Sequence, residues 1–318
     1  MNVRHKRIYI FMSDDSLLAA IEKQEWLGPI QKGGEALVKN AVAVAGDKGQ
    51  QIKNALHGVW LGHPLHPAIT DVPVGSWTAA AVLDLLDLAG KDEYAPGADA
   101  AVAVGLVGAV GSALSGLADW SDTSGKPQRV GALHGLLNTT AAALYGTSYV
   151  LRKKESRGWG RSLAFVGYGI VLASAYLGGI LSYRQRIGVD HSPDTDEALP
   201  ADWSRVASET DLPEGRPYKA TLDCVDVFLL KRGTQIFALA NTCSHLGGPL
   251  NEGKLEGDII QCPWHGSRFC IRDGSVVDGP ATHPQPKLEV KTQNGAVLVR
   301  KSGLSSIQSP ESPAPAKG

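Results

Sequence analysis

The chain has 318 residues, room for more than one domain, with 31 Lys and Arg against 32 Asp and Glu. A net charge of −1 and a pI near 6.8 leave no basic balance to attract nucleic acid. The mean hydropathy of −0.08 looks like that of a soluble protein, but it averages two unlike halves. Residues 60–185 are rich in Ala, Gly, Leu and Val, whereas residues 186–318 are polar and strand-like.

In chain order, residues 1–11 precede the second methionine, Met12, so the chain can begin at either. They are not a secretory signal, because no long apolar core follows the basic residues. Two amphipathic helices are expected over about 15–27 and 34–57, separated by Gly-Pro and Gly-Gly. The second carries Lys39, Lys48 and Lys53 and suits either a membrane surface or a solvated cap on a bundle.

The next stretch is hydrophobic. Ala100–Ala118, Val130–Leu151 and Ser162–Tyr183 are each long enough to cross a hydrocarbon core of about 30 Å. Pro67–Ala89 is a weaker fourth candidate, punctuated by Asp71, Asp84 and Asp87. Small residues recur every fourth position at Gly108, Ser112 and Gly116 and at Ser174, Gly178 and Ser182, which suits close helix packing in lipid. A soluble alanine-rich bundle is the competing reading. The motif Leu-Gly-His63-Pro-Leu-His66-Pro, followed by Asp71-Val-Pro-Val-Gly, resembles a family of uncharacterised bacterial four-helix membrane proteins. That resemblance covers about 58–185 and implies a membrane location without an established activity.

With four spans, one face would collect His57, His63, His66, Asp71, Asp119, Asp122, His134 and Tyr183. Ionisable groups at membrane depth mark a site by default. His63, His66, Asp71, Asp119 and His134 are the core of that candidate. Three uses compete: structural His–Asp pairing, a haem b or metal held by two of His63, His66 and His134, and a quinone pocket. Arg152, Lys153, Lys154, Arg157 and Arg161 lie between the last two spans, with Lys91 on the same side. Lys126, Arg129, Arg184, Arg186 and the basic N-terminal arm lie on the other. Counting the whole arm favours termini inside, whereas counting only the positions close to the spans gives a near tie. No Arg-Arg pair precedes a span, which also favours a cytoplasmic C-terminal domain at a bacterial inner membrane.

A polar linker, 186–200, leads to short strand-like runs at Val225–Lys231, Gln235–Ala240, Asp258–Gln261 and Ala296–Arg300, bounded by Gly and Asp turns. An antiparallel all-β domain is expected over 201–302, and a disordered Ser/Pro/Gly-rich tail over 303–318. The predicted organisation is therefore an N-terminal helical arm (1–57), a four-helix transmembrane domain (58–185), the linker, the β domain and the tail.

Within the β domain, Cys243-Ser-His245-Leu-Gly247-Gly248 is followed by Cys262-Pro-Trp264-His265-Gly266-Ser267. Two Cys and two His can hold a tetrahedral zinc, but a zinc finger places both cysteines before both histidines. Here each loop supplies one sulfur and one nitrogen. That alternation suits a two-iron cluster with Cys243 and Cys262 on one iron and His245 and His265 on the other. The glycines would admit positive φ and close approach of backbone N–H groups to sulfur. Cys224 and Cys270 remain, both in apolar runs, and read as buried unpaired thiols rather than a disulfide.

Both loops resemble those of the Rieske [2Fe–2S] family, over about 201–302. The resemblance implies one cluster per chain, ligated by Cys243, His245, Cys262 and His265 and supported by Gly247, Gly248, Gly266 and Ser267. Members from respiratory cytochrome bc complexes add a disulfide between positions that here are Gly248 and Trp264. They also set a serine and a tyrosine against the cluster sulfurs; Ser267 matches the first, but Phe269 replaces the second. Fewer hydrogen bonds to sulfur imply a potential in the lower half of the Rieske range. Exposed imidazoles imply a potential that falls as pH rises. His283, among prolines, reads as a loop residue.

The expected function is one-electron transfer by a membrane-anchored Rieske protein, with a redox partner protein and the lipid bilayer as partners and quinone as a further candidate. The alternatives are a redox sensor and an electron donor to a separate oxygenase. A self-contained oxygenase needs a large catalytic domain, which the residues after His265 are too few to build.

Overall fold

A computed structural model describes residues 14–90, 92–154, 156–193 and 201–302. The expectations for 1–11 and for the tail at 303–318 lie outside the described residues, as does most of the linker. The described residues form two compact units, one from those up to Gly49 with Leu65–Ile187, the other from Gln50–Pro64 with those after Ile187.

The first unit is helical: α1 (Asp14–Glu22), α2 (Leu27–Val44), α4 (Leu65–Leu88), α5 (Ala95–Ser121), α6 (Lys126–Lys153) and α7 (Arg157–Gly179), the last running into a π-turn at Ile180–Arg184. The arm differs from expectation. Gly28-Pro29 does not separate helices but opens α2, where a missing N–H costs nothing. Gly33 and Gly34 lie inside α2, and a Cβ at Gly34 would overlap the Trp120 ring at 2.3 Å, so glycine lets α2 reach α5. The expected second helix breaks at Gly46, whose φ is +57°, and restarts as α3 (Gly49–His57), which packs with the second unit.

α4, α5 and Arg157–Arg184 are long and apolar enough to cross a membrane. α6 matches them in length, but Gln128, His134, Asn138 and Arg152 make it the most polar of the four, so Val130–Leu151 is a weaker span than expected and Pro67–Ala89 a stronger one. The reason is pairing. Asp84 and Arg152 have fully buried side chains and bond each other directly, with Arg152 Nη1 2.8 Å from Asp84 Oδ1. Asp99 accepts from Arg157 at 2.8 Å and from Arg152 at 3.3 Å, and Asp87 accepts from Arg161 and Arg157. Asp84 and Asp87, which argued against a span, are thus paired inside the bundle. Inside the unit, buried polar side chains are interleaved with an apolar core that includes Trp77, Val102, Tyr145 and Val171, while its outside is apolar. Ser112, Ser115, Ser148 and Ser174 are buried, while Val107, Val110, Leu114, Val166 and Leu172 face outward.

The four long helices form two hairpins of one pattern. His66, Trp77 and Asp84 on α4 recur at identical spacing as His134, Tyr145 and Arg152 on α6. Gly105, Ser112 and Gly116 on α5 recur as Gly167, Ser174 and Gly178 on α7. The contacts repeat too. A Cβ at Gly105 would strike Trp77, and one at Gly167 would press on Tyr145; a Cβ at Gly116 would strike His66, and one at Gly178 would press on His134. Across the resulting pseudo-twofold, His66 faces His134, Trp77 stacks on Tyr145 with ring centres 4.1 Å apart, and Asp84 meets Arg152.

The second unit holds three antiparallel sheets: β1 (Ser204–Ser208), β10 (Ala296–Lys301) and β9 (Leu288–Gln293); β2 (Pro217–Leu222), β3 (Val225–Arg232) and β4 (Gln235–Ala240); and β5 (Lys254–Glu256), β6 (Ile259–Gln261), β7 (Arg268–Cys270) and β8 (Val276–Asp278). β3 is buried on both faces, which is why its apolar run does not alternate. Val227 and Leu229 join Leu288, Val297 and Val299 in one core; Phe228 and Leu230 join Leu250, Ile260 and Phe269 in the other. The second core also contains Cys243 and Cys262, so it seats the loops that carry them.

Candidate functional site

The first motif fills the loop between β4 and a 3-10 turn at Leu250–Glu252; the second connects β6 to β7. Both close in the same way. Cys243 N–H donates to Gly248 O and Cys262 N–H to Ser267 O, each at 2.8 Å, while Gly247 N–H returns to Cys243 O and Gly266 N–H to Cys262 O. Gly247 and Gly266 both have φ of +80°, a region that penalises any side chain. Gly248 does not, so its expected positive φ is corrected. It is needed for space, since a Cβ there would lie 2.7 Å from Cys262 Sγ and 3.0 Å from the Trp264 ring. Positions 248 and 264 therefore do face each other across the two loops, with no cysteine at either.

The four candidate ligands converge. Cys243 and Cys262 are 1% and 3% exposed and hydrogen-bond to each other, whereas His245 and His265 are half-buried with ring centres 5.0 Å apart. Backbone N–H groups of His245 and Leu246 point at Cys243 Sγ, and those of Trp264 and His265 at Cys262 Sγ. The hydrogen bond between the two thiols, with burial, pushes Cys243 up, while the same bond lowers Cys262. Donor chemistry and placement fit a [2Fe–2S] cluster, with two buried sulfurs for an inner iron and two imidazoles for an outer one.

A third loop braces the first. Buried Gln285 donates through Nε2 to Ala240 O at 2.8 Å and Thr242 O at 2.6 Å, and its Oε1 accepts from Ser244 N–H at 3.1 Å. Ser244 Oγ donates to His283 O, which confirms His283 as a loop residue. Sequence reasoning missed Gln285; the signal was one amide among prolines in His-Pro-Gln-Pro. Ser267 Oγ is fully buried and accepts from Ala281 N–H at 3.0 Å, which leaves its own hydrogen to donate. Phe269 lies in the core against Ile260. Cys224 is not buried as expected but exposed at the β2–β3 turn, and Cys270 is half-buried; both are free.

Residues 202–293 match the family described as Rieske [2Fe–2S] domain. The β unit is 32% identical over 98 residues to ferredoxin CarAc of Metapseudomonas resinovorans, covering 30% of this chain and 92% of that protein. The chain belongs to the Rieske [2Fe–2S] family. The Rieske domain is likewise 32% identical to the ferredoxin component of biphenyl 2,3-dioxygenase from Rhodococcus jostii, covering 31% of this chain and 94% of that one. A solved structure, the ferredoxin of carbazole 1,9a-dioxygenase from Nocardioides aromaticivorans, aligns over 31% of this chain and 98% of its own at 28% identity and a TM-score of 0.30. Residues 62–191 match the family described as Predicted membrane protein (DUF2231). The chain is thus a Rieske protein attached to a membrane domain.

The candidate membrane site divides. His66 and His134 come together, with ring centres 6.3 Å apart. His57 and His63 belong to the unit that holds the Rieske domain; His63 Nδ1 is 3.1 Å from Pro64 O, and His57 packs beside Gly279. Asp71 and Tyr183 are exposed, and Asp119 and Asp122 are half-buried at the end of α5. Sequence reasoning missed the repeat; matching His-Trp-Asp with His-Tyr-Arg spacings was the signal.

Proposed function

We propose that the protein is a membrane-anchored one-electron carrier in which Cys243, Cys262, His245 and His265 hold a single [2Fe–2S] cluster. The carrying observation is the graded burial of the four ligands, with sulfurs in the core and imidazoles at the loop tip. The cluster supplies a reversible one-electron store. The chain supplies everything else: backbone N–H groups that steady the sulfurs, a glycine-lined gap that admits them, and an imidazole edge with Trp264 beside it, 57% exposed, for a redox partner to dock on.

An electron-donor role toward a separate oxygenase is supported by a relative that is itself the ferredoxin component of biphenyl 2,3-dioxygenase, 94% of which the chain covers. We place the Rieske domain on the cytoplasmic side of a bacterial inner membrane. The basic residues of the N-terminal arm support that side.

Purified in mild detergent and reduced with dithionite, the protein should give the rhombic electron paramagnetic resonance signal of a mixed thiolate–imidazole cluster. His265→Ala should abolish it. Stoichiometric zinc without iron would sink this reading.

A further inference from the structure

The two hairpins meet at three levels, and the His level has a chemistry that the other two lack. His66 Nδ1 lies 2.9 Å from Ser112 O and His134 Nδ1 lies 2.9 Å from Ser174 O. A carbonyl can only accept, so each Nδ1 carries the hydrogen and each Nε2 presents a lone pair. Tying one ring nitrogen to a carbonyl while the other stays basic is how proteins prepare an imidazole for a metal. Ser174 Oγ also approaches His134 Nδ1 at 3.0 Å, and Asn138 Nδ2 donates to His134 Nε2 at 3.0 Å. The amide must turn aside before a ligand can take that nitrogen.

The spacing fits one metal. A metal–imidazole bond of about 2 Å plus about 1 Å of ring radius puts each ring centre about 3 Å from the ion, so two trans imidazoles sit about 6 Å apart. The observed separation is 6.3 Å with the rings at 88°. The His245 and His265 rings, by contrast, are 5.0 Å apart. Gly116 and Gly178 fix this arrangement: a Cβ would lie 2.7 Å from the His66 ring and 3.2 Å from the His134 ring.

Two imidazoles alone do not complete a coordination sphere. Among the described residues no third Cys, His, Asp or Glu joins them in a metal-binding group. The remaining ligands must arrive with the metal, in a macrocycle that apolar helices can enclose. Quinone fits less well, because its carbonyl oxygens need hydrogen-bond donors and both Nδ1 hydrogens are already spent on backbone carbonyls. We propose that His66 and His134 are the axial ligands of a b-type haem held between the two helical hairpins.

The test uses the full chain, expressed with ample haem and purified in mild detergent. Pyridine haemochromogen assay should find one haem b per chain, low-spin in optical and electron paramagnetic resonance spectra, beside the separate Rieske signal. His66→Gly and His134→Gly should each lower haem content at least tenfold, and added imidazole with haem should restore the low-spin spectrum. His63→Leu should leave the haem unchanged. A full Rieske signal without haem, haem that survives loss of both His66 and His134, or haem lost in His63→Leu would each overturn the proposal. The cluster signal reports the Proposed function independently of all these results.

Discussion

At the scale of single residues, the site depends on what is small as much as on what binds. Gly248→Ala places a methyl where Cys262 Sγ and the Trp264 ring already sit, and overpacking of this kind costs about 1–3 kcal/mol. We expect cluster content to fall several-fold with the β fold retained, read as iron and acid-labile sulfide per chain beside circular dichroism. Phe269→Tyr should raise the reduction potential, and Ser267→Ala lower it, each on the order of tens of millivolts in a redox titration. Equal potentials in all three proteins would refute the assignment of these side chains to the cluster sulfurs. The four proposed ligands were legible from spacing together with the family resemblance, because thiolate and imidazole alternate in two matched loops. Gln285 and the exposure of Cys224 were not legible. One depends on a loop arriving from 40 residues downstream, and the other on a turn at Asp223, which has a φ of +52°.

At the scale of elements, the polar residues that weakened α4 as a span are what join it to α6. Asp84 and Arg152 are both buried, and removing one partner of such a pair leaves a charge without compensation, at about 3–5 kcal/mol. Asp84→Leu should therefore lower the melting temperature in detergent sharply, and Asp84→Leu with Arg152→Leu should recover part of the loss. A double variant worse than the sum of the singles would contradict this account. Hydropathy could rank the helices but could not see that Asp84, Asp87 and Asp99 face arginines in another hairpin, since that pairing exists only after the helices pack. The arm shows the same limit. Gly33 and Gly34 read as a helix break from local propensity, whereas contact with Trp120 makes glycine the residue that keeps α2 in place.

At the scale of the whole molecule, the apolar outer surface of the helical unit and the family matched by residues 62–191 make this a membrane protein. Cys224 offers a direct reading of sidedness, since it is exposed while Cys243 and Cys262 are buried. With the Rieske domain cytoplasmic, a membrane-impermeant maleimide should modify inverted vesicles but not intact spheroplasts, and Cys224→Ser should abolish that labelling. Labelling of intact spheroplasts would place the domain outside.

The repeated hairpin also shows where its two halves stop being interchangeable. His66 with His134 and Trp77 with Tyr145 are pairings that two identical hairpins could make as a symmetric dimer. Asp84 with Arg152 is not, because two copies of the first hairpin would set carboxylate against carboxylate, and two of the second guanidinium against guanidinium. The imidazole and aromatic levels are thus ones that a hairpin could share with a copy of itself. Opposite charges at the equivalent position bind each half to the other half of its own chain rather than to its twin.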